Sequence, residues 1–131
     1  MRAFVLPIAF AAAVAAVPVQ SAPVSLNPLV ERDVQCFVLY AIGVNNAVGA
    51  SDDKAREAGS LGLMYYLGKL EVGAPGVNLT EAVRQEATAL QSNPNAKRIG
   101  ASCDAEFQKR GAELIDLGQK LMATQASASM N

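Results

Sequence analysis

Three hydrophobic patterns divide the chain. Ala3 to Val19 carries no charge and no strongly polar side chain, Cys36 to Val44 is apolar at almost every position, and the segments further on, up to Met122, place apolar residues every three or four positions. The last pattern belongs to helices with one buried side, and the second to a helix enclosed by neighbours on most sides. No β-branched run alternates, and no Asn-Gly or Asp-Gly turn appears, so strands are not expected. The pattern predicts an all-α fold, a small bundle of about four helices over residues 29–122, without internal repeats.

Start and stop signals set the helix limits. Asn27 is the expected N-cap of helix 1, with Pro28 at the first helical position, and the helix runs to Val48 or Gly49. Helix 2 is expected to start on Ser51 as cap, with Asp52 and Asp53 in its first turn, and to stop at Val72 before Gly73 and Pro75. Ala55, Ala58, Gly59 and Gly62 recur along it at three- and four-residue spacing, which predicts a close approach by another backbone. Helix 3 opens on the box Asn78 to Glu81 and runs to Gln91, burying Leu79, Val83, Ala87 and Leu90. Helix 4 is expected from Pro94 to Met122 with a break near Gly100, keeping Ile99, Cys103, Phe107, Leu114, Leu117 and Leu121 on one side. Residues 23–28 read as an extended lead-in and residues 123–131 as a frayed, disordered tail.

The apolar run at the start reads differently from these helices. Met1 and Arg2 make a short positive region before an alanine-rich stretch, which predicts a secretory signal over residues 1–22 cut near Ser21 and Ala22. Alanine is too weakly apolar for a lasting membrane span, so no stable insertion is expected after cleavage. Export to the periplasm or the medium follows.

Charge narrows the partners. Lys plus Arg number 11 against 12 Asp plus Glu; removing residues 1–22 takes away Arg2 alone, leaving 10 against 12 and a net charge of −2. A near-neutral, interspersed surface has no basic face with which to release counterions, so nucleic acid is not an expected partner. Two cysteines in a small exported chain are most simply one disulfide, Cys36 to Cys103. A zinc or redox pair has little support, since the chain has no histidine and no C-x-x-C. No cofactor or metal is expected.

The candidates for chemistry each have a plainer explanation. Asp52, Asp53 and Glu57 share a helix face and could meet a cation, but they also complement the helix dipole, and Lys54 and Arg56 lie among them. Tyr40, Gly62 and Tyr65 mark a candidate ligand pocket between helices 1 and 2, with Tyr66 beside them, where core packing is the plainer explanation of the tyrosines. Asn45 and Asn46 read as helix-end polar residues, and Asn78-Leu79-Thr80 fits a glycosylation sequon whose capping role is a sufficient explanation. Histidine, the usual base beside a nucleophilic Ser, Cys or Thr, is missing, so no enzyme activity is expected.

Arg32-Asp33-Val34-Gln35-Cys36-Phe37, Met64 to Leu70 and Cys103 before a charged last helix resemble short exported helical proteins of Gram-negative bacteria. One cysteine in an early helix and a second in Cys103-Asp104-Ala105-Glu106-Phe107-Gln108-Lys109 is similar in layout to the HdeA-type periplasmic chaperones, with a longer interval between the cysteines. Cys36 through Val48 also resembles the Rap1a/Tai immunity family. These likenesses imply export, a helical fold and, for the second, acid-stress chaperone activity; they carry over no functional residue. With catalytic and metal sets missing, the expectation is a protein-interaction or scaffold module with a protein partner. An acid-stress chaperone and a carrier of a small apolar ligand are the alternatives.

Overall fold

The computed structural model describes residues 22–128, and among them four helices and no strand: α1 (Pro28–Gly49), α2 (Asp53–Gly73), α3 (Leu79–Gln91) and α4 (Ala96–Ala128). Residues 1–21 of the expected signal and residues 129–131 of the expected tail lie outside the described residues. No helix among the described residues is long and apolar enough to cross a membrane.

Local chemistry explains most of the helix limits. The Asn27 side-chain oxygen accepts from the Leu29 and Val30 amides, with Pro28 at the first helical position, where its missing N–H leaves nothing unsatisfied. Asn78 caps α3 by accepting from the Glu81 amide. Glu81 does not return the bond and turns instead to Arg84 and Gln85, so only half of the expected capping box forms.

The junction of α1 and α2 corrects the expected start of the second helix. Asp52, not Ser51, is the cap, its carboxylate accepting from the Ala55 amide at 3.0 Å. Ser51 instead closes α1: its φ is 56°, its amide donates to the Val48 carbonyl, and the Asp52 amide donates to the Ala47 carbonyl. Those two bonds satisfy carbonyls left open at the helix end, in a motif that usually places glycine at the left-handed position.

Helices α1 and α2 then run as an antiparallel hairpin with a steady register. Gly59 lies opposite Val44, Gly62 opposite Tyr40, Tyr66 beside Cys36, and Lys69 opposite Asp33. The close approach expected from the small residues is present at Gly59 and Gly62. A Cβ on Gly59 would lie 2.7 Å from Val44 Cγ2, and one on Gly62 would overlap the Tyr40 ring.

Helix α3 covers the start of α1. Val30, Val34 and Val38 pack with Leu70, Ala82 and Leu90, and Val24 and Leu26 of the lead-in join this core. Gln85 fastens the lead-in, accepting from the Val24 amide and donating to the Ala22 carbonyl. Burial of α1 is less complete than its apolar centre predicted: Ile42 and Gly43 are exposed. Beyond Tyr40, Gly59 of α2 lies against Val44, while Ile42 and Gly43 leave one side of the helix open.

Helix α4 differs most from expectation. It begins at Ala96, after Asn93 accepts from the Asn95 amide, and continues unbroken through Gly100 to Ala128. Residues 123–128, expected to be frayed, complete the last turns, because their alanines favour continuation of the helix. Ile99, Cys103 and Phe107 pack against the body. Leu114, Leu117 and Leu121 keep the same side of the helix but remain exposed.

Candidate functional site

The predicted disulfide is present. Cys36 at the third turn of α1 is bonded to Cys103 of α4, 67 positions along the chain, with Cα atoms 5.6 Å apart. Both cysteines are buried against Tyr66, which has no exposed surface.

Around the bridge, three tyrosines from the α1–α2 hairpin grip one turn of α4. The Tyr66 hydroxyl donates to the Cys103 carbonyl oxygen at 2.9 Å, Tyr40 donates to Asp104 at 2.7 Å, and Tyr65 donates to Glu106 at 3.2 Å. Phe107 closes the cluster, its ring 5.9 Å from that of Tyr40 and 5.7 Å from that of Tyr65. Burial, reinforced by the neighbouring carboxylates, pushes all three phenols above their ordinary value.

An ion-pair group stands beside the cluster. Lys69 Nζ donates to Asp33 and to Glu106, each at 2.6 Å, and lies 5.3 Å from the centre of the Tyr66 ring. Arg32 reaches Glu106 at 3.6 Å and donates to Ser102 Oγ at 2.7 Å. Burial pulls the Lys69 ammonium down, but its hydrogen bonds to the two carboxylates outweigh that and raise it. Burial likewise pushes Glu106 up, and the Lys69 and Tyr65 hydrogen bonds overcome this and hold it low. A lysine held protonated has no lone pair for base or nucleophilic work, so this group binds α4 to the hairpin rather than offering chemistry. Asp33 and Glu106 each lie three residues from a cysteine, so pairing the cysteines brings the two carboxylates together, a signal present in the sequence once Cys36 and Cys103 are joined.

The predicted pocket residues do not line one shared cavity; Tyr65 borders a groove of about 630 Å³ between α1 and α2, with Val30, Asp33, Lys69 and Val72. The Tyr40 ring fills the space over Gly62, and Tyr65 turns toward Phe107 and Glu106. A second groove, of about 760 Å³, lies on the other side of Tyr40, between α1, the first turns of α2 and the first turns of α4. Leu39, Tyr40 and Phe107 give it apolar surface, while Gly43, Ala58 and Gly59 lower its walls. Lys97, Asp104 and Gln108 are its polar residues. Ala55 and Ala58, expected at a helix contact, face this groove instead.

The chain matches no protein-family model, no curated protein and no solved structure in comparisons with known proteins. Geometry therefore carries the functional reading alone.

Two features of that geometry join. The α4 residues bordering the groove include Lys97, Gly100, Asp104 and Phe107, and the same side of the helix continues through Gly111, Leu114, Gly118 and Leu121. An α-helix drifts only about 20° per heptad from such a line. Residues 111–122, about 18 Å of helix, contribute no side chain to either core cluster. Leu114 is 69% exposed, Ile115 65% and Met122 72%, with Leu117 and Leu121 more than half exposed beside them. Two of the acidic candidates at the start of α2 have local roles. Asp52 caps, Asp53 pairs with Arg56 at 3.0 Å, and no three His, Cys, Asp or Glu side chains among the described residues could hold a metal ion.

Proposed function

We propose that the protein is an exported helical module that works by binding a protein partner along α4. The observation that carries this reading is the apolar face of α4 beyond Phe107, where five large side chains stand exposed on consecutive turns. Contiguous apolar surface of this kind is rare on monomers and marks places where another molecule sits. The disulfide, the tyrosine cluster and the Lys69 ion pairs anchor the base of the helix, so the face is presented from a fixed platform. Export is part of the proposal: a disulfide in a small chain fits an oxidising compartment, periplasmic or extracellular.

Site-directed photo-cross-linking in the producing cell tests the reading. A photoreactive residue at Leu117 is expected to give discrete protein adducts, and one at exposed Thr88 on α3 is expected to give none. Equal labelling from both positions, or none from Leu117, would contradict it.

The groove supports a second reading, carriage of a small apolar molecule. Its 760 Å³ lies within the range of ligand sites, and most of its lining is apolar. Native mass spectrometry of gently extracted protein is then expected to show a bound mass; protein that is always empty would remove this reading.

A further inference from the structure

We propose that the occupant of the α4 face is a second copy of this chain, laid antiparallel so that Leu114 and Leu121 of one α4 sit over glycines of the other. The inference rests on the reading of α4 as an interaction face and names its partner.

Spacing is the first support. Phe107, Gly111, Leu114, Gly118, Leu121 and Gln125 follow one another at alternating intervals of four and three, the seam of a coiled coil. Along the arm the seam alternates glycine with leucine. When two such helices run antiparallel about a two-fold axis level with Asp116, Gly111 faces the partner's Leu121 and Leu114 faces the partner's Gly118. Each seam leucine then meets a gap, as interdigitated packing requires. A parallel pair would set glycine on glycine and leave those layers unfilled.

The glycines themselves are the second support. Nothing lies within 4 Å of a Cβ placed on Gly111 or Gly118, so the protein's own fold does not demand glycine at either position. Glycine weakens a helix interior relative to alanine, and a close approach by another helix is the usual return for that loss.

Charge and area fit the same occupant. Arg110 pairs with Glu113 and Lys120 with Asp116, each at 2.7 Å within one helix, so two arms meet without like-charge repulsion. Ile115 and Leu117 flank the seam, where each approaches its own counterpart across the axis. The exposed apolar face amounts to on the order of 500 Å² per copy. A symmetric pair therefore buries roughly 1,000 Å² in all, the lower bound of specific interfaces, which implies a weak, reversible dimer. In this register the end of the partner's α4 reaches the level of Asp104, at the mouth of the groove.

Sedimentation velocity on the purified full chain from about 1 to 300 μM tests the pairing. The expected result is a reversible monomer–dimer equilibrium that Leu114→Lys weakens by more than about tenfold. Gly118→Leu is expected to abolish the dimer equally while leaving the monomer folded, since it removes a helix glycine at an open site. Mixed Gly111→Cys and Leu121→Cys chains are expected to cross-link to each other rather than to themselves. A strict monomer throughout, or a Gly118→Leu dimer as tight as the natural one, would overturn the proposal. A strict monomer whose Leu117 adducts contain a different protein would overturn self-pairing and leave the interaction reading standing; loss of the adducts as well would overturn both.

Discussion

The Tyr66 hydroxyl donates to the Cys103 carbonyl oxygen at 2.9 Å, from a side chain wholly enclosed between the α1–α2 hairpin and the disulfide. This bond and the bridge hold the same turn of α4 by independent means. Tyr66→Phe keeps the ring and removes the donor, so the unfolding free energy is expected to fall by about 1 kcal/mol. Tyr66→Ala also empties the space and is expected to cost about 3–5 kcal/mol. Urea unfolding checks both; a Phe variant as damaging as the Ala variant would show that the hydroxyl, not the ring, dominates.

The bridge closes a loop between positions 67 apart. Replacing both cysteines by serine is expected to lower the unfolding free energy by about 4 kcal/mol in the chain-entropy account. Equilibrium denaturation of the double variant measures this. A loss below about 1 kcal/mol would mean that the tyrosines and ion pairs already restrain α4 without it.

Two glycines of α2 should respond in opposite directions. A methyl on Gly62 meets the Tyr40 ring, which Asp104 and Phe107 hold in place, so Gly62→Ala is expected to destabilise by about 1–3 kcal/mol. Gly68 has open space at the same point, and Gly68→Ala is expected to stabilise by about 1 kcal/mol through helix propensity. Thermal unfolding of the pair gives the comparison; the same sign for both would contradict the packing described at Tyr40.

Acid should loosen the hold on α4. Glu106 titrates lower in the folded chain than in the unfolded one, so its contribution is complete above the unfolded value of about 4.3. It is lost as pH falls through the folded value. Glu81, which hydrogen bonds from Arg84 and Gln85 bring down to about 2, adds an acid limb of the same sign. Lys69 is raised, so its share is present at neutral pH and lost only as pH climbs through its folded value, above about 10.4. Unfolding free energy measured between about pH 5 and pH 2 is expected to slope less steeply in Glu106→Gln; an unchanged slope would remove Glu106 from the acid response.

Local signals in the sequence were legible, and relations between distant segments were less so. Asn27 with Pro28, and Asn78 before Glu81, announce their helices because a cap depends on three or four neighbouring residues. Ser51 and Asp52 are both good caps, and only the backbone turn at Ser51 decides between them. The alternation that placed Leu114, Leu117 and Leu121 with Ile99 and Cys103 was read correctly as one side of α4. Periodicity shows which side of a helix is apolar but not what covers it, and the covering ends at Phe107. The candidate pocket residues Tyr40, Gly62 and Tyr65 part for a similar reason: glycine at 62 signals space, and Tyr40 of the neighbouring helix occupies it. The groove lies where Gly43, Ala58 and Gly59 leave one side of α1 uncovered.

Hydrogen exchange in dilute protein tests most directly the division of α4 into a held base and an open face. The amides of residues 99–107, gripped by the disulfide and the three tyrosines, are expected to exchange slowly, near the rate set by global unfolding. Those of residues 112–122, whose side chains join neither core cluster, are expected to exchange far faster. Equal protection along the whole helix at low concentration would mean that the chain covers this face itself, and would contradict the account.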